Sequence, residues 1–578
     1  MDKKPEALFV HFAERMERIS FLKGRLEIQS TLTEYFKEVE DDLVYAVYLA
    51  TTTFFPEYKN KQLNIGDKII YDVLSESTGL KVTTLRKEYA KEGDFGTIGM
   101  LHRAPQLFIS PRRLSLKDVV CKLREVADIS GTKSKTLKMR KMLEMVAICS
   151  PLEIKYIFRI FEEKLKVKIA FSTVLTSLAK MYPGEHVENV KGAYYRRPDI
   201  ELLIRTISEK GIENLSESFG MVPGIPLKPM LAQPTKDVST AYKKVENKLF
   251  TCEYKYDGER VQIHSHNGMI SIYSRNLEES TVKFGDVKVV SKNQKDFIID
   301  GEVVAYDVEN KKILSFQTLS TRKRKDTNEV VKVCIFVFDI LFFDGVNLIE
   351  KSLRERREIL YNEFEEIESK FYFSEHLDCK SVEEIDGFFQ KSCEQNYEGI
   401  MIKLLEEGST YLPSQRSNSW IKLKKDYIDN GGDSFDLVVV GAYYGKGKRT
   451  GVYGGFLLAS FNDSEGVFET VCKIGTGFSE ENLSKLYEEL NNYVTEVPKD
   501  IRYKDQTKPD VWISPKLVWE VKAAGVSLSP VYCSGIDNES RGLSLRFPRF
   551  IRSRDDKGPE DGTTSDQIYS MYREINDL

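Results

Sequence analysis

No stretch of this sequence reaches 18 consecutive apolar residues, and no charged start leads into a short apolar core. Neither a membrane span nor a secretory leader is therefore supported. Cysteine is sparse: the eight residues at 121, 149, 252, 334, 379, 393, 472 and 533 form no CxxC pair. That spacing argues against a zinc module and a disulfide framework, and makes a reducing compartment the default. Low-complexity tracts are also missing, and with 41% hydrophobic and 30% charged residues nearly the whole chain should fold. At 578 residues it is too long for one core, and about three to four domains are expected.

A formal net charge of −4 argues against a nucleic-acid partner on its face, but the charge is uneven. Residues 101–200 carry 20 Lys and Arg against 10 Asp and Glu. Such a block suits either a solvated helical surface or a face that tracks backbone phosphates through counterion release. Charge alone leaves both open.

After a polar start, apolar residues recur at three and four spacing up to about residue 220, as in VVCKLREVADI, SKTLKMRKMLEMVAIC and PLEIKYIFRIFEEKL. The stretch MVPGIPLKPMLAQPT, residues 221–235, holds four prolines and reads as a linker. Beyond it come β-branched and aromatic runs bounded by Gly, Asp and Asn: FTCEYKY, RVQIHSH, GMISIYSR, DFIIDGEVVAYDV and VCIFVFDILFFDG. After KKDYIDNGGDSFD the strands shorten and turns punctuate them, the pattern of a small barrel. The reading is an all-α domain over 1–232, a strand-dominated α+β domain over 233–426 and a β-barrel over 427–578.

Within TCEYKYDGERVQIH, Lys255 is followed by Asp257-Gly258 and Arg260. A lysine is a weak nucleophile until neighbouring cations or a metal favour its free amine, and an Asp-Gly pair permits a tight turn. An isolated KxDGxR suits a solvated hairpin as well as a nucleophile. Four more clusters follow in order: Arg275 in SRN, Glu302 in DGEVVAYD, Phe338 and Asp339 in FVFDIL, and Glu398 with Lys403 in YEGIMIK. A lone carboxylate in an apolar strand is usually a structural hydrogen-bonding group. In WIKLKKDY, however, Lys422 and Lys424 alternate with Ile421 and Leu423, so both ammonium groups share one strand face. Two cations aimed one way suit a phosphate chain.

Taken together, KYDGER, SRN, DGEVVAYD, FVFDIL, YEGIMIK, WIKLKK and the closing RFPRFIRSRDDK resemble the ordered nucleotidyltransferase motifs of ATP-dependent DNA ligases, with particular similarity to the eukaryotic replicative type. The resemblance covers nearly the whole chain. It implies a helical DNA-binding domain, a nucleotidyltransferase (adenylation) domain and an OB-fold domain over the three ranges above, with ATP and Mg²⁺ as cofactors. Lys255 would take AMP from ATP. Glu253 would accept from the adenine amine and Phe338 would stack on the base. Arg260, Arg275 and Arg416 would hold ribose and phosphate, Lys422 and Lys424 would hold the α-phosphate, and Lys403 would complete the nucleotide site. Glu302 and Glu398 would serve the metal.

The implied partner is nicked double-stranded DNA. Lys133 and Lys135 in GTKSKTLKMRK, and Lys166 and Lys168 in EKLKVKIA, are the expected phosphate contacts, while Phe316 and Phe547 would wedge beside the nick. Arg552, Arg554, Asp556 and Lys557 would orient pyrophosphate. A monomeric nuclear enzyme is implied, with no membrane partner. Because the chain begins almost at the helical domain, sliding-clamp binding through an amino-terminal extension is not expected, and RKRK at 322–325 falls within the catalytic resemblance rather than marking a targeting signal. KxDGxR alone would also fit capping enzymes and RNA ligases. The helical first domain argues against those, and the full set of lysines and glutamates argues against an idle DNA-encircling protein.

Overall fold

The computed structural model describes residues 6–103, 113–287, 289, 291–322, 331–395, 397–425, 433–535 and 541–575. By contact the chain gathers into two compact units, residues 1–73 with 103–428, and residues 74–102 with 429–578. Among the described residues no helix is long and apolar enough to cross a membrane.

The amino-terminal part of the first unit is helical, for the reason the periodicity gives. Phe9–Phe21 buries Phe9, Phe12, Ala13, Met16 and Ile19, and Leu116–Asp128 buries Leu116, Val119, Val120, Leu123 and Val126. Ser115 with Asp118, and Ser150 with Glu153 ahead of Pro151, close capping boxes that satisfy otherwise orphaned N–H groups. The basic helix Ser134–Val146 is not uniformly outward-facing. Lys138 is buried and donates to the Leu63 carbonyl at 2.5 Å, and burial holds its amine below the ordinary value. Lys138 thereby fastens a loop whose Asn60 exchanges two hydrogen bonds with the Glu279 backbone, at 3.0 and 3.1 Å. Lys228 adds an ion pair to both Glu57 oxygens at 2.6 Å. These contacts set the helices against the turn that carries Arg275.

Twelve strands follow in this unit: β1 (Leu231–Thr235), β2 (Phe250–Lys255), β3 (Glu259–His266), β4 (Met269–Ser274), β5 (Phe297–Asp307), β6 (Lys312–Ile313), β7 (Val333–Phe343), β8 (Val346–Asn347), β9 (Phe371–Phe373), β10 (His376–Cys379), β11 (Gly399–Leu404) and β12 (Arg416–Lys424). One sheet has the order β1-β12-β11-β2-β10 and the other β4-β3-β5-β7-β8, with β6 on β5 and β9 on β7. Ile400, Ile402, Ile421 and Leu423 bury one face of the first sheet in a core shared with Phe250, Cys252 and Tyr254.

The proline-rich stretch departs from its reading as a linker. Leu227 and Met230 are buried, and Gln262 clasps the Leu227 backbone through both its amide oxygen and its amide nitrogen. Leu231–Thr235 then pairs in parallel with β12 as an edge strand, the sheet position that tolerates Pro234. Side-chain hydrogen bonds from β3 therefore override the local proline signal.

The helix Leu353–Glu363 distributes three arginines among three acids. Arg354 pairs with Glu406 near the surface, Arg356 is fully buried against Asp339 through two bonds of 2.7 and 2.9 Å, and Arg357 reaches Glu253. All eight cysteines are free.

In the second unit, strands Asp433–Tyr444, Tyr453–Asn462, Val467–Ile474, Val518–Ala523 and Arg549–Ser553 pair around Trp519, which is fully buried against Phe456, Phe478 and Phe550. The helices Glu480–Asn491 and Ser565–Ile575 supply Leu483, Leu486, Leu490 and Ile568 to the same core.

Arg356→Ala is expected to cost about 3–5 kcal/mol, because it leaves Asp339 as a buried unpaired charge. Arg354→Ala, whose ion pair faces water, should cost under about 1 kcal/mol. Urea unfolding of the two variants side by side separates these outcomes; equal losses would contradict the account.

Candidate active site

Strand register assembles the site. Across β2, β11 and β12 the pairs Thr251–Lys403–Trp420, Glu253–Met401–Lys422 and Lys255–Gly399–Lys424 form three consecutive rungs. Paired residues, and residues two apart, share a sheet face, so all three rungs point the same way. Successive rungs are spaced by about 7 Å. The face runs from an aromatic end at Trp420 to a cationic end at Lys255 and Lys424.

At the cationic end Glu398 accepts from Lys255 through one oxygen and pairs with Lys424 through the other. Its own N–H donates to the Lys255 carbonyl at 3.0 Å, which fixes the carboxylate beside the lysine. Burial alone would raise the Glu398 carboxyl, but Lys255 and Lys424 outweigh it and hold the group below the ordinary carboxylate range. Gly399 leaves the middle of this rung open, and a Cβ there would strike the Leu423 carbonyl. Desolvation and the charges of Lys424, Lys255 and Arg275 together hold the Lys422 amine below its usual value.

Glu302, on β5, approaches Lys255. Its carboxyl is pushed up to about 7, chiefly by burial, against the opposing pull of Lys255 and Arg260. Gly258 in the turn after β2 is required by proximity: a Cβ there would collide with the Val303 carbonyl, next to Glu302.

Arg260 is held by Asp300 at 3.0 and 2.7 Å, by the Met230 carbonyl at 2.6 Å and by the Tyr411 hydroxyl at 3.1 Å. Burial opposes its charge, yet Asp300 keeps the guanidinium protonated more firmly than usual. At the aromatic end, Phe338 and Trp420 meet edge to face with centroids 6.0 Å apart. Lys403 Nζ lies 4.5 and 4.4 Å from those two ring centres. It is also 2.6 Å from Glu253 Oε2 without hydrogen-bond alignment. Arg357 donates to Glu253 Oε1 at 2.6 Å.

The residues singled out in the sequence thus fall into three groups. Lys255, Glu302, Glu398, Lys422 and Lys424 converge; Glu253 and Lys403 lie along the same sheet face, and Phe338 and Arg260 come from β7 and β3 of the other sheet to meet its aromatic end at Trp420. Arg275 is exposed and contributes to a cleft of ≈ 540 Å³ that Asn276, Glu278, Lys228 and Glu57 also line. Arg416 opens β12 at the end away from Lys424 and is exposed. Sequence reading missed Asp300, Tyr411 and Arg357. Only the arginine-dense LRERREIL behind a Ser352–Glu355 capping box gave a signal for the last.

Residues 8–179 match the family described as DNA ligase N terminus, residues 229–424 the ATP dependent DNA ligase domain, and residues 449–557 the ATP dependent DNA ligase C terminal region. DNA ligase 1 of Schizosaccharomyces pombe is 39% identical over 99% of this chain and 79% of its own length. DNA ligase 1 of Drosophila melanogaster is 40% identical over 98% of this chain and 80% of its own. This chain belongs to the ATP-dependent DNA ligase family.

The ligase also shares its fold with the solved structure of Pmar-Lig_PreS3, at a TM-score of 0.57 and 16% identity over 94% of this chain and 99% of that one. On the helical part of the ligase, Lys133 is exposed at the start of the basic helix in a left-handed conformation (φ 70°), Lys135 pairs with Asp72 at 2.5 Å, and Lys166 pairs with Glu162 at 3.0 Å. Lys168 is exposed and makes a long contact of 3.5 Å to the Leu22 carbonyl. Phe316 is half-buried against the core beneath β5, whereas Phe547 is 74% exposed in a turn with φ 49°. An ordinary core role is thereby excluded for Phe547. Arg554 and Lys557 pair with Asp436, Arg554 also with Asp556, and Arg552 with Glu520. Arg322 is ion-paired with Asp286, and residues 323–325 of the RKRK cluster lie outside the described residues.

Glu302 makes stability pH-dependent. With a folded value near 7 against an ordinary 4.5, the folded state holds an extra proton between those limits, so stability falls as pH rises through them and the penalty is complete above about 7. Glu302→Gln is expected to flatten this decline by on the order of 1–3 kcal/mol between pH 5 and pH 8, read by urea unfolding without added metal. An unchanged slope would refute the assignment.

Proposed function

We propose that this ligase seals nicks in duplex DNA through a covalent lysyl-AMP on Lys255. The observation that carries the reading is the rung on which Glu398 bridges Lys255 and Lys424, with Lys422 on the next rung. Lys255 must lose a proton, released to solvent, to become a nucleophile, and until then Glu398 holds its side chain in place. The free amine then attacks the α-phosphorus of ATP: a P–N bond forms and the P–O bond to pyrophosphate breaks. Lys422, Lys424 and Arg275 offset charge on the phosphates, and in-line phosphoryl transfer depends mainly on such positioning and neutralisation.

Glu253 faces the adenine amine, Phe338 the base, and Arg260, Arg275 and Arg416 the ribose and phosphates. In the second step AMP passes to the 5′-phosphate of the nick. In the third the adjacent 3′-hydroxyl attacks that phosphorus and AMP leaves. Glu302 and Glu398 would hold Mg²⁺. The fit rests on Glu302, a carboxyl raised by burial with no hydrogen bond among the described residues, beside a second carboxylate. Bound there, the cation supplies further charge neutralisation on the phosphates.

The duplex would lie against the helical domain, 1–232, with Lys133, Lys135, Lys166 and Lys168 on its phosphates. Phe316 and Phe547 would wedge at the nick. The exposure of Phe547 supports this, since an apolar ring facing water has packing left to gain. Residues 233–426 would form the adenylation domain, and the sheet-rich 427–578 would be an OB-fold whose Arg552, Arg554, Asp556 and Lys557 orient pyrophosphate. The enzyme would be a nuclear monomer of replication, repair and recombination; of these, the relatives named DNA ligase 1 support the nuclear setting and the replication and repair duties.

Incubation with α-labelled ATP and Mg²⁺ should label the protein, and labelled GTP or NAD should not. Lys255→Ala should abolish the label. Added nicked DNA should discharge it as the strands join. A GTP adduct, or label retained by Lys255→Ala, would overturn the reading.

A further inference from the structure

Glu253 is 2% exposed, yet it is a charged group in the middle of a strand. Such a carboxylate is costly to bury unless cations and hydrogen bonds surround it. Two supply that. Arg357 donates from Nη2 to Oε1 at 2.6 Å, and Lys403 stands 2.6 Å from Oε2. Arg357 comes from a helix remote in sequence, its side chain is only 10% exposed, and its other terminal nitrogen is 3.8 Å from Asp378. His376, opposite Glu253 on β10, and Tyr361 are further titratable neighbours.

A carboxylate held by two cations offers lone pairs and no donor. Each oxygen keeps acceptor capacity beyond the cation contact it already makes. A planar guanidinium fixes the carboxylate in direction as well as charge, which a lysine does less well. We propose that Arg357 is a positioning residue that aims Glu253 as an obligate acceptor, and so sets the preference of the lysine-AMP reaction for 6-aminopurines over 6-oxopurines. A 6-amino group donates to that oxygen, whereas a 6-oxo group would set acceptor against acceptor. The inference rests on the reading that Glu253 meets the base edge.

The test is single-turnover labelling of the full chain with ATP, inosine triphosphate and purine riboside triphosphate, which lacks any 6-substituent. The unaltered protein should favour ATP over both analogues by about tenfold or more in rate at low nucleotide, the scale of one charged hydrogen bond. Arg357→Met should shrink that ratio to within about threefold, raising the nucleotide concentration needed while leaving the saturating rate with purine riboside triphosphate unchanged. Arg357→Lys should give an intermediate ratio. Adding Glu253→Gln to Arg357→Met should change the ratio no further. If both Arg357 variants slow all three nucleotides equally, Arg357 is merely structural and the proposal falls. If Arg357→Met does not fold, an unaltered ratio in Arg357→Lys overturns it as well. If the unaltered protein does not distinguish ATP from purine riboside triphosphate, the fault lies in the role given to Glu253, and the proposal falls with it.

Discussion

Everything in the site depends on one carboxylate serving two ammonium groups. Glu398 lies between Lys255 and Lys424, which face each other across Gly399 from the two flanking strands. Without it, two lysines and the neighbouring Lys422 would repel one another on a partly buried sheet face, where low dielectric magnifies the cost. With it, the cationic end is neutralised within the protein itself. The chain secures this arrangement through backbone geometry: the Glu398 N–H is bonded to the Lys255 carbonyl, so lysine and carboxylate are positioned by the same strand pairing.

A second layer of buried ion pairs holds that face in place. Asp300 grips Arg260 and accepts from Tyr411 at 2.8 Å, and Tyr411 in turn accepts from the Met230 N–H. The proline-rich stretch is thereby tied to β3 and β5. Asp339 and Arg356 do the same for the helix that brings Arg357 to Glu253. Such pairs contribute little net stability compared with apolar packing, but removing one partner strands the other. Their value here is directional, since each fixes the orientation of a charged side chain.

Much was legible in the sequence because it was local. Period-three-to-four apolar spacing gave the helices up to Lys210, and β-branched runs gave β2 to β5 and β7. The alternation in WIKLKK put Lys422 and Lys424 on one face, as β12 does. What failed was local too. Four prolines in 221–235 signalled a linker, yet Gln262 and the β12 edge draw that segment into the sheet. In GTKSKTLKMRK the lysines look equivalent, but Lys138 points into the protein because two carbonyls of a loop 75 residues away need a donor there.

By itself, the sequence determined the order of the motifs and the strand alternation that puts Lys422 and Lys424 on one face. These follow from residue type and spacing, which a linear chain displays. Only the tertiary structure decided which charges neutralise which. Lys255 meets Glu398 from 143 residues away, Glu253 meets Arg357 from 104, and Arg260 meets Asp300 from 40. The physical reason is that ion pairing depends on distance in space and on burial, and both are set by sheet register and helix packing.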